Sequence, residues 1–599
     1  MTMGYGGSTE PPNDAAPGAP GFEPAPSPVI TSSVEAGAVA PAPVQPVTAT
    51  RGRRPSVRWA VAVVIVALVV ATASAAFIAV AGAGAPSTVA SWAPADTTLY
   101  AEARFDLPGD QRTKLAEFLS AFPGFADQAS LDQKLAELYD RLVHDASSKT
   151  DYSTDIAPWF GGQLAVAAPT PTSLSSATPM GNGHLALLAT VTDATKAQAW
   201  LTSLGSGGSP AVYGGVTLTV VSKAGDQYAY GIDGPVLVAG DVDSVHAVID
   251  TKGSSGLAST KDYRDALAAF QGDHLAFFFI DTGKLVAALP KSGGTDGCGA
   301  AAVSGLTWSA TAIRAESDHL VADAAMPALP GASSEKDSLS TLAPRLPAST
   351  IAVFEKHDLG ATIQAFVARA QKDPACASAL KSVTDALDRI GGLDSFLSWV
   401  GDSAVAVTKD GDTYGGGVVI ALPNAAAADT AAGKFASLKN LATLSGAAKV
   451  TTEDHGGATI TTISLSDVSS LLPSSDQGAA DALKSVDASI SYTISDGLVV
   501  VGVGGDGFVK AVLDTKAGSS LADQARYKTA LDRAGAENVA SAYVDLHSIV
   551  GAIEAYIPAS DKASFDTGTK PYLAPLEAVA TSHQAGDVMH ARFVLTVAK

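Results

Sequence analysis

Cysteine is almost missing from this 599-residue chain: there are two, Cys298 and Cys376. No CxxC occurs, which excludes zinc-ribbon and thioredoxin-type sites. An oxidising compartment would allow one disulfide between the two, and a reducing one would leave two thiols, one of them in Gly297-Cys298-Gly299. Charge is also scarce, at 17% of residues, and basic charge scarcer still: 39 Lys and Arg stand against 60 Asp and Glu, a net charge of −21. Residues 1–58 balance Glu10, Asp14, Glu23 and Glu35 against Arg51, Arg53, Arg54 and Arg58, so the whole deficit lies downstream. An acidic surface of this kind repels phosphate backbones and excludes nucleic acid as a partner. The ten histidines form no HExxH or HxH pair, so no metal-ligand spacing is present. No GxSxG occurs, which removes the α/β-hydrolase nucleophile elbow.

What the chain does have begins with ten prolines in residues 1–50. That segment lacks the apolar pattern needed to offset chain entropy, so residues 1–58 are expected to be a disordered cytoplasmic tail. Arg51-Gly-Arg-Arg54 and Arg58 then precede Val61–Ala81, 21 residues without a charge. At helical rise such a run spans ~31 Å, the thickness of a bilayer's hydrocarbon core. Arginines before the run place the N-terminus in the cytoplasm and residues 86–599 outside. Ala83-Gly84-Ala85 resembles a signal cleavage site, but the long leading segment favours an uncleaved anchor over residues 59–85.

A repeat organises the remainder. Val245–Phe270 recurs 264 residues later as Val509–Ala534, with twelve of 26 positions identical, and the same offset carries Asp281 onto Asp545. The expected fold class is α+β: an N-terminal transmembrane helix, then two tandem homologous modules over 90–330 and 340–599. Each is expected to be a mostly antiparallel sheet with helices packed on one side. Strand signals fall at Thr98–Phe105, Gln163–Ala168, His184–Thr192, Val216–Val221, Gln227–Ile232, Pro235–Gly240 and Leu275–Ile280, with Leu306–Glu316 and His319–Pro327 closing the first module. The second answers with Ser349–Phe354, a hairpin of Ser403–Lys409 and Gly415–Ala421 across Asp410-Gly411, Leu498–Val503, Ala540–Val544 and Met589–Val597. Trp159-Phe-Gly161 and Trp399-Val-Gly401 stand at matching strand entries. The same elements, with Pro94-Ala-Asp-Thr-Thr-Leu-Tyr100 and a helix ending at Phe122-Pro123, carry a resemblance over most of 90–599. The chain resembles a bacterial, actinobacterial-type family of membrane-anchored proteins, the domain-of-unknown-function family DUF3352. The resemblance implies an envelope location and carries no activity or site residue.

Each chemical motif has a plainer account. Gly502-Val-Gly504-Gly-Asp-Gly507 fits the dinucleotide fingerprint, yet the matching turn at Val238–Asp243 keeps one glycine, so a permissive turn is expected. Asp281 and Asp545 follow apolar strands and precede helical patterns, which suits N-caps better than general bases. Asp250-Thr-Lys252 and Asp514-Thr-Lys516 sit at helix ends, where the lysines can meet the last carbonyls. Tyr263 and Tyr527 are read as packing residues with solvated hydroxyls, and Trp159 and Trp399 as core anchors. Asp410-Gly-Asp412 lacks the ligand count of a calcium loop. No catalytic, cofactor or metal residue is assigned. The expected function is a single-pass envelope protein that binds or scaffolds without catalysis. The alternatives are a carrier of lipid or another apolar ligand, and an envelope hydrolase with dispersed residues.

Overall fold

The computed structural model describes residues 87–127, 131–146, 150–169, 184–204, 208–223, 226–288, 305–329, 335–388, 392–411, 413–445, 448–465, 489–555 and 557–599. The expected tail at 1–58, the expected anchor at 59–85, Cys298 and Asp412 lie outside the described residues. No described helix is long and apolar enough to cross a membrane.

Among the described residues, the strands form two sheets. The first is built from β1 (Leu99–Arg104), β2 (Phe160–Ala168), β3 (Ala186–Val191), β4 (Ser209–Tyr213), β5 (Val216–Lys223), β6 (Asp226–Asp233), β7 (Val236–Asp241), β8 (Ala276–Ile280) and β9 (Ser309–Ala315). After β10 (His319–Pro327) come β11 (Thr350–Lys356), β12 (Ser403–Asp410), β13 (Thr413–Ala421), β14 (Ala448–His455) and β15 (Ala458–Leu465). The last five are β16 (Ser489–Ser495), β17 (Leu498–Val503), β18 (Ala540–Asp545), β19 (Leu576–Gln584) and β20 (Val588–Val597). Every described pair is antiparallel.

The first sheet runs β4-β5-β6-β7-β3-β2-β1-β8-β9. The second contains the run β14-β15-β16-β17-β13-β12-β11-β18-β19, the same order with each label raised by ten, and then continues into β20 and β10. The register matches too. Leu99 faces Ile280 as Ala352 faces Val544, and Asp281 and Asp545 follow or end those partner strands.

One boundary differs from expectation. The strand β10 was expected to close the first module, but it pairs with β20 in the second sheet. The turn at 316–318 that joins β9 to β10 is closed by the Glu316 N–H donating to the His319 carbonyl at 2.8 Å, so this hairpin links the two sheets. Both β10 and β20 are entered from a three-residue turn ending in aspartate, Asp318 or Asp587. Their fifth residues, Asp323 and Arg592, lie opposite each other, so the strand pair has a local two-fold relation. Asp323 is fully buried. It accepts from Arg592 Nε at 2.7 Å and from the guanidinium of Arg314.

Helices cover both faces of each sheet, not one. Strand alternation is the reason: successive side chains point to opposite faces, and both faces of β3 are apolar. Leu188 joins a core with Tyr100, Val248, Tyr263 and Phe277, built by the helices Val242–Thr251 and Lys261–Ala268. Ala189 turns the other way, to Trp159, Ala197 and Leu201, where the helix Ala194–Ser203 packs. In the second sheet, Gly507–Leu513 and Ala525–Ala534 cover the first face and Ala425–Ser445 the opposite one.

Candidate functional site

An apolar pocket lies on the face of the first sheet that carries Trp159. Its roof starts from the helix Leu131–Ala146, in which Leu131 and Leu135 are buried against Ala116. One turn further on, Tyr139 overhangs the sheet. A π-helical turn, Tyr152–Ile156, follows. It is tied to the helix by the Ser153 N–H donating to Asp140 Oδ1 at 2.6 Å. Here the turn brings in Tyr152 and Ile156. The helix Ala194–Ser203 starts at its cap, Asp193, which accepts from the Lys196 N–H at 3.0 Å, and contributes Trp200.

These aromatic rings meet mainly edge to face. Phe105 lies 4.9 Å from Tyr139 and 5.6 Å from Phe160, and Tyr139 lies 5.1 Å from Tyr152. Trp159 and Trp200 sit 5.1 Å apart, tilted by 33°. Leu164, Leu187, Ala189 and Leu237 form the floor. The space is ~250 Å³, and its wall is apolar throughout. The polar handles are occupied elsewhere or silent. Trp159 Nε1 donates to the Asp155 carbonyl at 2.7 Å. Burial pushes the Tyr139 phenol up to about 12, with Tyr152 adding to the shift, and burial raises Tyr152 as well. Both are therefore neutral near pH 7. The pocket can hold an apolar group.

The same face of the second sheet is less roofed. Trp399 packs on Phe435, but Phe354, Val405 and Val503 are 50%, 54% and 60% exposed. Phe354 is directly opposite Val405, and Val407 and Val503 both face Gly416, so these residues form a continuous strip.

A polar cleft of ~480 Å³ opens beside the β10–β20 seam, lined by Asp110, Lys114, Asp273, Arg314, Glu316 and Arg592 among others. Its charges are matched internally. Lys114 pairs with Asp110 at 3.0 Å and with Glu316 at 2.8 Å, and Arg314 pairs with Glu316 at 3.1 Å. Burial lowers both Arg314 and Arg592. These groups form a structural ion network.

The sequence-derived candidates take structural roles. The Asp281 carboxylate accepts from the Lys284 N–H, and Asp545 from the Ser548 N–H, each at 2.8 Å, which is N-cap geometry in both cases. Gly504 and Gly505 have φ of 76° and 105°, and β17 runs antiparallel to both neighbours, so the glycine motif is a turn with no βαβ crossover. Lys252 ends its helix at φ 48° through its own backbone N–H, and Lys516 lies beyond the helix Gly507–Leu513. Asp250 accepts from the Tyr213 hydroxyl at 2.8 Å, and Asp514 pairs with His455 at 2.9 Å. Trp159 and Trp399 are core residues.

The tyrosines depart from expectation. Tyr263 and Tyr527 are only 2% and 7% exposed, and burial raises both phenols, so their hydroxyls are not solvated. Among the described residues, two groups that could hold a metal ion went unseen in the sequence: His184 with Asp241 and Asp243, and Glu355 with His357 and Asp402. Neither has motif spacing, and only the fold brings each together. In the first group, Asp241 already caps a helix through the Ser244 N–H at 3.0 Å and holds His184 at 2.8 Å.

No curated protein matches the chain. Three solved structures, crystal forms I, III and IV of TP0453, are similar at 8% identity. They cover 40–41% of this chain and 78–79% of their own, with TM-scores of 0.19–0.22, a likeness too slight to carry an argument. The family model described as protein of unknown function (DUF3352) matches residues 59–594, and the chain belongs to that family.

Proposed function

We propose that the chain is a non-enzymatic envelope protein that holds an apolar group in the aromatic pocket beneath Tyr139 and Tyr152. The observation that carries this reading is the wall itself, which is apolar throughout. A dry apolar cavity of ~150 Å³ takes up benzene. A space of ~250 Å³ suits a two-ring aromatic or a short acyl segment. It falls below the ~300–1,000 Å³ usual for whole drug-sized ligands, so it fits the end of a ligand rather than an entire lipid.

The placement we infer is a single span at Val61–Ala81, the N-terminus in the cytoplasm and 86–599 outside. The arginine-first apolar run supports it. So does the disulfide at Cys376, since disulfides persist in oxidising compartments. We read the two sheets as copies of one duplicated unit, on the strength of their matching strand order and register. A second reading, scaffolding of a protein partner, is favoured by the exposed strip of Phe354, Val405 and Val503.

Photo-crosslinking tests the pocket. The full chain in lipid nanodiscs is labelled with a diazirine fatty acid and digested for mass spectrometry. Adducts are expected on peptides bearing Tyr139, Tyr152–Trp159 or Trp200. Ala189→Phe, which fills the floor, should remove them while leaving the melting temperature within a few degrees. Adducts confined to Val61–Ala81, or unchanged by Ala189→Phe, would overturn the reading.

A further inference from the structure

The strand registers make Arg104 and His357 equivalent. The Arg104 N–H donates to the Leu275 carbonyl at 2.7 Å, and the His357 N–H donates to the Val539 carbonyl at 3.0 Å. Two residues earlier, Glu102 faces Phe277 as Glu355 faces Ser541. Both glutamates are 2% exposed. In the first sheet a fixed cation answers the local carboxylates: Arg104 lies 3.8 Å from Glu102 and 2.9 Å from Asp106. The second sheet has no guanidinium at this position. It has an imidazole, and a second carboxylate, Asp402, stands beside it.

Glu355, His357 and Asp402 offer ligand atoms that all lie within 4.8 Å of one another. His357 is 6% exposed, and its Nδ1 is 3.1 Å from Asp402 Oδ2. Its Nε2 is buried and has no hydrogen-bond partner. Nδ1 is the ring nitrogen that faces Asp402, so it is the atom His357 presents to an ion in this group, with Nε2 on the opposite edge of the ring. The carboxylates are already aimed. Glu355 accepts from the Ser340 hydroxyl and from the Leu342 N–H at 3.3 Å. Asp402 accepts from the Thr341 hydroxyl at 2.5 Å and from the Asp358 N–H at 3.0 Å. An ionised carboxylate has about four lone-pair sites, so ligating capacity remains, and donors of this kind orient metal ligands.

We propose that Glu355, His357 and Asp402 bind a divalent transition-metal ion of the zinc class, at the position the Arg104 guanidinium holds in the first sheet. Two carboxylates and a neutral imidazole carry a charge of −2, which a divalent ion cancels. Mixed imidazole and carboxylate ligands suit zinc and its first-row neighbours, and the lack of thiolate or thioether disfavours copper(I). Zinc bonds of roughly 2.0–2.2 Å hold tetrahedral ligands about 3.3–3.6 Å apart. The His357 Nδ1–Asp402 Oδ2 distance of 3.1 Å is slightly shorter than this, and the Glu355 oxygen lies within 4.8 Å of both, so ion binding requires side-chain adjustment of all three. Three protein ligands leave one position open.

Zinc chloride is titrated calorimetrically into the metal-stripped full chain at neutral pH, with thermal melts recorded beside it. One equivalent should bind and raise the melting temperature. Asp402→Asn should weaken binding at least tenfold. His357→Arg restores the first-sheet arrangement, so it should fold and melt normally yet bind zinc at least tenfold more weakly. His184→Gln, in the other cluster, should leave the stoichiometry at one. The proposal is overturned if wild type binds no zinc, if His357→Arg binds as wild type does, or if His184→Gln is the change that abolishes binding.

Discussion

Replacing Asp323 by asparagine removes the single negative charge on which two guanidiniums converge. The carboxylate is fully buried, whereas the Arg314 and Arg592 side chains keep 16% and 32% of their exposure. Removing one partner of a buried ion pair costs about 3–5 kcal/mol, because the remaining charge is left without compensation. Water can reach both arginines in part, so the lower end applies, about 3 kcal/mol. That corresponds to a shift of roughly 100-fold in the unfolding equilibrium. Urea unfolding of the full chain, followed by tryptophan fluorescence, should show a lower midpoint with an unchanged slope. Arg592→Met in the Asp323→Asn background removes one stranded cation. The double variant should therefore lose less than the sum of the single losses, by roughly 1–3 kcal/mol. A loss below about 1 kcal/mol for Asp323→Asn, or strict additivity in the double variant, would refute the reasoning.

Burial pushes His274 down to about 4, with Arg104 adding to the effect. The unfolded imidazole protonates first, so stability should be level above pH ~6.5 and fall by roughly 3 kcal/mol as the pH drops to ~4. His274→Phe, which keeps the ring packed near Phe277, should lose less between pH 7.5 and 4.5 in the same urea assay. Parallel losses would show that another group is responsible. Cys376 is disulfide-bonded, and the only other cysteine in the sequence is Cys298. Thiol titration of the denatured, unreduced chain should find no free thiol, and two after reduction. In intact cells, added protease should cleave the chain while sparing a tag at the N-terminus.

Much of the fold could be read from the sequence because it is written locally. The continuous apolar run Leu498–Val503 and the Asp410-Gly411 turn specify strands and a hairpin within a few residues, and β17 matches its expected bounds. Gly411 takes the left-handed φ of 58° that such a turn needs. The edge strands β4 and β14 were missed because exposed polar residues blur the alternation, as in Ala448–His455. Helices on both faces went unseen since a run such as Leu187-Leu188-Ala189 does not say which neighbour each side chain meets. The pocket drew on rings from Phe105 to Trp200 and a floor reaching Leu237, joined by packing rather than by any period. His357 and Asp402 become neighbours only when β11 and β12 pair.

The exchange of β10 into the second sheet also sets an order of assembly. Asp323 and its partner Arg592 are 269 residues apart, so a chain emerging N-terminus first makes β10 long before β20 exists. Until then β10 keeps an unpaired edge, the kind of surface that recruits strands from other molecules. Distant pairing is slow, because closure entropy is lost before contacts repay it. The interval between the two strands is thus the period of greatest exposure to aggregation. A chain truncated before β20 would never leave it, keeping bare edges at both β10 and β19.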